Sequence, residues 1–295
     1  MIRLPRPQRD SVADLDLAIS RRRAATRRLL VRSRSGVTDS YTRYADILTD
    51  LLSYVSLADS ADDLSKALRD NFALLDRGRP LESLREYIFS GARINDFQCP
   101  LCGRTQVSSL DHFLPKEVFP EFSILADNLV PVCERCNRLK GIECDRSNGL
   151  LMLHAYFDTF PNDELLHLDI EFSLSVEIAY SLHQSVSVSD QLFERILKHY
   201  SVLNLLEFYQ VEAIAEMTDQ MELYDETYRS TGGAGMRRLL ASLSRGAEKR
   251  GVNHWKSVLY RDLGRSDEFC DGGYKLLLSR PFSRDLVAKA MPSSD

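Results

Sequence analysis

The chain has 295 residues, 44% hydrophobic and 27% charged, with a net charge of −5 at neutral pH, a balance ordinary for a soluble globular protein of one to three domains. No apolar run reaches membrane-spanning length, and no apolar stretch follows the N-terminal arginines, so neither insertion into a membrane nor export is expected. The expected location is cytoplasmic, where thiols stay reduced.

Charge is unevenly spread. Residues 1–36 hold ten arginines against three aspartates, a local +7 that leaves −12 for the remainder. A segment of this kind supplies salt-dependent phosphate affinity or docks on an acidic partner. Residues 10–33 are expected to form a basic helix. Tyr41, Tyr44, Ala45, Leu48, Leu51, Leu52 and Val55 repeat with helical spacing. Ser60-Ala61-Asp62-Asp63 has the form of a capping box, followed by Leu64, Leu68, Phe72 and Leu75, with Gly78 as the stop. Pro80 can open a further helix, with Leu81, Leu84 and Ile88 on one face.

Two cysteine pairs come next, Cys99/Cys102 and Cys133/Cys136, each two residues apart within the pair. Two such turns build a closed tetrahedral zinc site with no open position for chemistry. The same ligands suit a rubredoxin-like iron, and two disulfides are the other alternative, although a reducing compartment disfavours them. The 30-residue insert between the pairs is longer than the roughly 15–20 residues of a bare ribbon, so it is expected to carry a function of its own. It contains Asp111-His112 and Asn128, and Asn137 follows Cys136 directly. Cys144 and Cys270 have no pairing spacing and read as reduced thiols. His154, His167, His183, His199 and His254 belong to no motif and read as structural or surface residues.

A neutral histidine accepts a proton from water near pH 7, which makes His112 the candidate general base for a hydrolysis. Asp111 precedes it on an extended segment and so points to the opposite face. Lys140 and Arg138, within a helical turn of Asn137, can hold phosphates as a point charge and a fork.

Taken together, Cys99–Cys102, Asp111-His112, Asn128 and Cys133–Cys136–Asn137 resemble the HNH, or ββα-metal, nucleases over about residues 97–142. The resemblance implies that Asp111 is a metal ligand, that Asn128 opens the second strand and orients the base loop, and that Asn137 stands where most relatives carry a last histidine ligand. One carboxylate and one amide oxygen suit magnesium or manganese. The stretches LDHFLPK, FPEF and NLVPVCERCNRLKG further resemble the HNH component of anti-phage systems of the Septu and retron-associated kind, which implies DNA as substrate and an ATPase partner. The chain has no GxxxxGK[ST] loop of its own. A non-catalytic zinc-stabilised binding module and an RNA-cleaving toxin nuclease are the alternative readings.

After the cysteines, Leu150–Phe157 reads as a buried strand. The alternation of Leu168, Ile170, Phe172, Leu174, Val176 and Ile178 with polar neighbours predicts a hairpin bent near 173–175 that buttresses the nuclease core. Helices are expected over 189–228, 234–249 and 252–262, broken at Thr231-Gly232-Gly233, with Met291–Asp295 frayed. The expected architecture is α+β, mainly α: a helical region at 1–95, a zinc-clamped ββα core with extra strands at 96–182, and a helical region at 183–295.

Overall fold

The computed structural model describes residues 1–57, 62–143 and 149–279. Ser60, Ala61, Cys144 and Met291–Asp295, all named above, lie outside them. The architecture is α+β and mainly α, with two small antiparallel sheets of two strands each. The chain divides into two compact units, 1–160 and 161–295.

The first unit begins with α1 (Ser11–Ser20) and α2 (Ala24–Thr42), where the sequence predicts one helix over 10–33. Extended backbone at Arg23 separates them and lets α1 pack on α2, which buries Leu15, Ala18 and Ile19 with Leu30 and Val37. Asp10 caps α1 by accepting from Val12 N and Ala13 N. The next apolar stripe is likewise divided, into the end of α2, a short α3 (Tyr44–Thr49) and a turn at Leu51–Ser53. Tyr41, Tyr44 and Leu51 are buried as expected, whereas Leu52 and Val55 are exposed, because the chain leaves the helix before their face would return to the core.

Asp62 caps α4 (Asp63–Asp70) through Ser65 N at 2.5 Å. A 3₁₀ turn over Asn71–Leu75 follows, and Gly78 takes φ of 75°, a left-handed turn that glycine adopts without steric cost. α5 (Glu82–Ser90) buries Leu84 and Ile88. β1 (Ser109–His112) and β2 (Leu129–Val132) pair antiparallel, Ser109 opposite Val132 and His112 opposite Leu129, and α6 (Glu134–Lys140) leaves the end of β2 to pack against β1. The three elements form a ββα unit. Residues 149–160 hold no strand. Leu151, Met152, Leu153, Ala155 and Tyr156 are buried in irregular chain, consistent with the ambiguity of a short apolar run.

The second unit contains the predicted hairpin, β3 (Leu166–Phe172) and β4 (Val176–Leu182), with its turn at 173–175. Leu168, Val176, Ile178 and Tyr180 are buried, as period two requires. Within this unit β3 packs on α10 and β4 on α8. The helix expected over 189–228 is three: α7 (Asp190–Val202), α8 (Leu205–Asp219) and the start of α9 (Met221–Glu248). Asn204, with φ of 45°, makes the first break, since asparagine tolerates the left-handed region. Gly232 departs from helical geometry within α9, at the predicted break. α10 (Trp255–Arg265) and α11 (Asp267–Cys270) follow, and a 3₁₀ turn over Gly273–Ser279 is the last described element. The unit's main polar anchors are Asn253 and Asp262. Asn253 Oδ1 accepts from Leu165 N and Leu166 N, and Asp262 Oδ2 accepts from Leu168 N.

Candidate metal centre and hydrolytic site

Cys99 and Cys102 lie in a tight turn closed by Gly103 N to Cys99 O at 2.8 Å and Cys99 N to Thr105 O at 2.7 Å. Gly103 takes φ of 65° to turn the backbone. Cys133 caps α6, its Sγ accepting from Cys136 N at 3.4 Å. The four sulfurs are buried and lie within 4.8 Å of one another. Cys102 Sγ and Cys133 Sγ are 3.9 Å apart, near the roughly 3.8 Å edge of a tetrahedron with ~2.3 Å metal–sulfur bonds. None of the four is disulfide-linked, which sets the alternative of two disulfides aside. The donor set fits a closed structural zinc ion. Hydrogen bonding within the cluster pulls the Cys102 thiol down and pushes the Cys136 thiol up.

His112 and Asp111 project from opposite faces of β1, as alternation predicts. His112 is buried. Its Nε2 lies 2.9 Å from Ser123 O, and its ring packs edge-on against Phe72 with centroids 4.4 Å apart. A carbonyl oxygen only accepts, so Nε2 carries the proton and Nδ1 carries the lone pair. Ser123 is fixed in turn by its hydroxyl, which donates to Leu68 O of α4 at 2.5 Å. Burial pushes the His112 pKa down to about 4; the Ser123 carbonyl opposes this, and Lys116 and Lys140 reinforce it. The ring is therefore a neutral base of fixed tautomer at pH 7.

Asn128 is fully buried immediately before β2. Its Oδ1 accepts from Tyr44 OH and Leu114 N, both at 2.7 Å. Its Nδ2 donates to Leu114 O at 3.0 Å and Phe122 O at 3.1 Å, while its backbone oxygen accepts from Phe113 N. One side chain thus ties both ends of the loop that runs from His112 to Ser123. Behind it, Tyr44 OH stands 3.5 Å from His154 Nε2.

Asp111 faces α6. Its carboxylate oxygens lie 3.2 and 3.1 Å from Lys140 Nζ, and the same ammonium donates to His112 O at 2.7 Å. Asp111 and Lys140 are both buried. Burial pushes the Asp111 carboxyl up, and Lys140 is the main force holding it down. Asn137, one turn before Lys140, donates through Nδ2 to Ser109 Oγ at 3.3 Å, and Ser109 shares Asp111's face of β1. Asn137 and Asp111 therefore line the same β1–α6 face. Their oxygens are hard donors of the kind a magnesium-class ion takes, and the Lys140 ammonium fills the cation position beside Asp111.

The geometry corrects one expectation. Lys140 is buried as the counter-ion of Asp111 and is not a surface group for phosphate, whereas Arg138 on the same helix is exposed. Sequence reasoning also misses Phe72, Ser123 and Tyr44. Phe72 and Tyr44 sit in stripes that read purely as core, and a backbone acceptor such as Ser123 O leaves no mark in a sequence.

Two curated proteins show similarity. Protein ea31 of Escherichia phage lambda is 27% identical over 189 residues, covering 59% of this chain and 64% of that protein. Septu protein PtuB of Bacillus thuringiensis is 33% identical over 74 residues, covering 25% of this chain and 29% of that protein. The chain thus spans less than two thirds of either relative's length. No family model and no solved structure matches it.

Proposed function

We propose that the protein is a metal-dependent HNH-type endonuclease that hydrolyses DNA phosphodiesters. The observation that carries this reading is the fixed tautomer of His112: Nε2 is committed to Ser123 O, so the lone pair on Nδ1 is available to a water. The setting supports it. The base ends the first strand of a ββα unit, Asn128 pins its loop, Asp111 and Asn137 share the neighbouring face, and four cysteines frame the whole.

In this reading Nδ1 of His112 takes a proton from water as the water oxygen bonds to phosphorus. The bond from phosphorus to the 3′ oxygen breaks, and a proton returns to that oxygen from solvent, leaving a 5′ phosphate. A bound divalent ion supplies Lewis-acid stabilisation of the phosphate and the departing oxygen. Asp111 and Asn137 would hold it, and the exposed Arg138 fork can grip a neighbouring phosphate. Zinc at the cysteines is structural.

The partial similarity to Septu protein PtuB supports a defence-associated role. Control of the nuclease by an ATPase partner belongs to the same proposal, as what the motif resemblance implies. Cleavage of plasmid, linear duplex and RNA in magnesium or manganese, with and without EDTA, tests the reading. DNA cutting that EDTA abolishes and either ion restores is the expected result. Cutting of RNA alone would move the assignment to a ribonuclease, and no cutting of either substrate would leave a zinc-stabilised binding module.

A further inference from the structure

The β1–α6 face contains an unusual juxtaposition. The carboxylate assigned to the divalent ion already has a cation, supplied by the protein itself. Lys140 Nζ sits 3.1 Å from one Asp111 oxygen and 3.2 Å from the other, and is anchored a third time on His112 O at 2.7 Å. Its side chain is 1% exposed and that of Asp111 is 6% exposed, so water does little to screen the pair. Lys140 is not a loose end that drifts aside: it is the last residue of α6, and Gly141 follows with φ of 50°, which ends the helix there.

Two consequences follow from charge. In the free protein the Asp111–Lys140 pair is neutral, so a divalent ion approaching Asp111 meets a carboxylate already satisfied and an ammonium that repels it. A phosphodiester brings one negative charge, which cancels half of the ion's charge, and supplies further hard oxygens as ligands.

We propose that Lys140 is the resident cation of Asp111, and that the divalent ion is recruited together with the nucleic-acid phosphate instead of being held beforehand by the free protein. This inference rests on the nuclease reading. It makes Lys140 a positioning residue that sets when the site is loaded. It also gives a safeguard: a protein carrying a histidine base at neutral pH stays unarmed until a phosphate backbone arrives.

The test is Mn²⁺ binding, read by loss of the free-ion electron paramagnetic resonance signal, on zinc-loaded protein with and without a DNA duplex. In the DNA arms His112→Gln blocks cutting while keeping a side-chain donor for Ser123 O. Without DNA, the wild type is expected to bind Mn²⁺ at least roughly tenfold more weakly than Lys140→Met, because the variant removes a repelling charge beside the ligand. With DNA, His112→Gln is expected to bind at least roughly tenfold more tightly than it does alone. Should Lys140→Met misfold, the effect of DNA on His112→Gln still decides. Free wild type that binds Mn²⁺ as tightly as Lys140→Met, or DNA that leaves the affinity of His112→Gln unchanged while the wild type still cuts, overturns the inference and spares the nuclease. Failure of the wild type to cut in any metal, together with no Mn²⁺ binding in any arm, overturns both.

Discussion

The β1–β2 hairpin has two ends built on opposite principles. Past the Ser109–Val132 end, four sulfurs crowd within 4.8 Å, an arrangement whose ionised form demands a metal ion. Toward the His112–Leu129 end, buried polar groups answer one another: Asp111 pairs with Lys140, His112 with Ser123 O, and Asn128 with Leu114, Phe122 and Tyr44. The first end is built to draw stability from an ion. The second pairs its buried polar groups within the protein, with the Nδ1 lone pair of His112 left over. A sulfur cluster suited to zinc and a set of self-paired polar groups thus share one small hairpin.

If the cysteine end depends on an ion, breaking it has the largest effect. Cys99→Ser or Cys133→Ser is expected to remove a metal worth about 10–16 kcal/mol, comparable to the whole ~5–15 kcal/mol by which domains are ordinarily stable, and to give unfolded or insoluble protein. Elemental analysis of the wild type should find about one tightly held zinc per chain. Folded, soluble protein with neither zinc nor iron would erase the contrast.

The other end predicts a charge cycle. Lys140→Met alone or Asp111→Asn alone strands a buried charge and should cost about 3–5 kcal/mol in denaturant unfolding, while the double variant should recover most of that loss. Additive losses would mean that the pair is not coupled.

A smaller effect comes from His112. Its folded pKa, about 4, lies below the usual 6.5, so the unfolded chain binds the extra proton first. The corresponding stability is fully present above about pH 6.5 and is lost as pH falls toward 4, by up to roughly 3 kcal/mol. His112→Gln should flatten the pH dependence of unfolding in that window. An unchanged slope would show that other groups carry it.

The smallest effect concerns the basic segment. Arg6, Arg9 and Arg34 are tied to Asp127, Asp14 and Asp16, whereas Arg21, Arg23, Arg27 and Arg28 are exposed around the α1–α2 turn. Replacing these four should lower the salt slope of DNA binding by roughly one for each phosphate no longer neutralised. An unchanged slope would make the segment a protein-docking surface.

Much of the site is legible in the sequence because its signals are local. The CxxC spacing dictates a metal turn, Asp-His on a strand dictates opposite faces, and the 166–180 alternation dictates a hairpin. What the sequence conceals depends on tertiary packing. Lys140 is four residues past Cys136 and indistinguishable from a solvated lysine until α6 lays it against Asp111. The 150–157 run is apolar enough for a strand, but irregular chain satisfies its burial. The helix over 189–228 hides two breaks because Asn204 carries no glycine or proline signal.

The central claim is that His112 is the base and that its neighbours only shape it. The direct measurement is single-turnover plasmid cleavage by His112→Gln beside wild type, at saturating manganese and with equal zinc content. His112→Gln keeps a donor for Ser123 O and lacks the Nδ1 lone pair, so the rate should fall by about 10²–10⁴-fold. Cleavage at the parental rate by folded, zinc-replete His112→Gln would contradict the account.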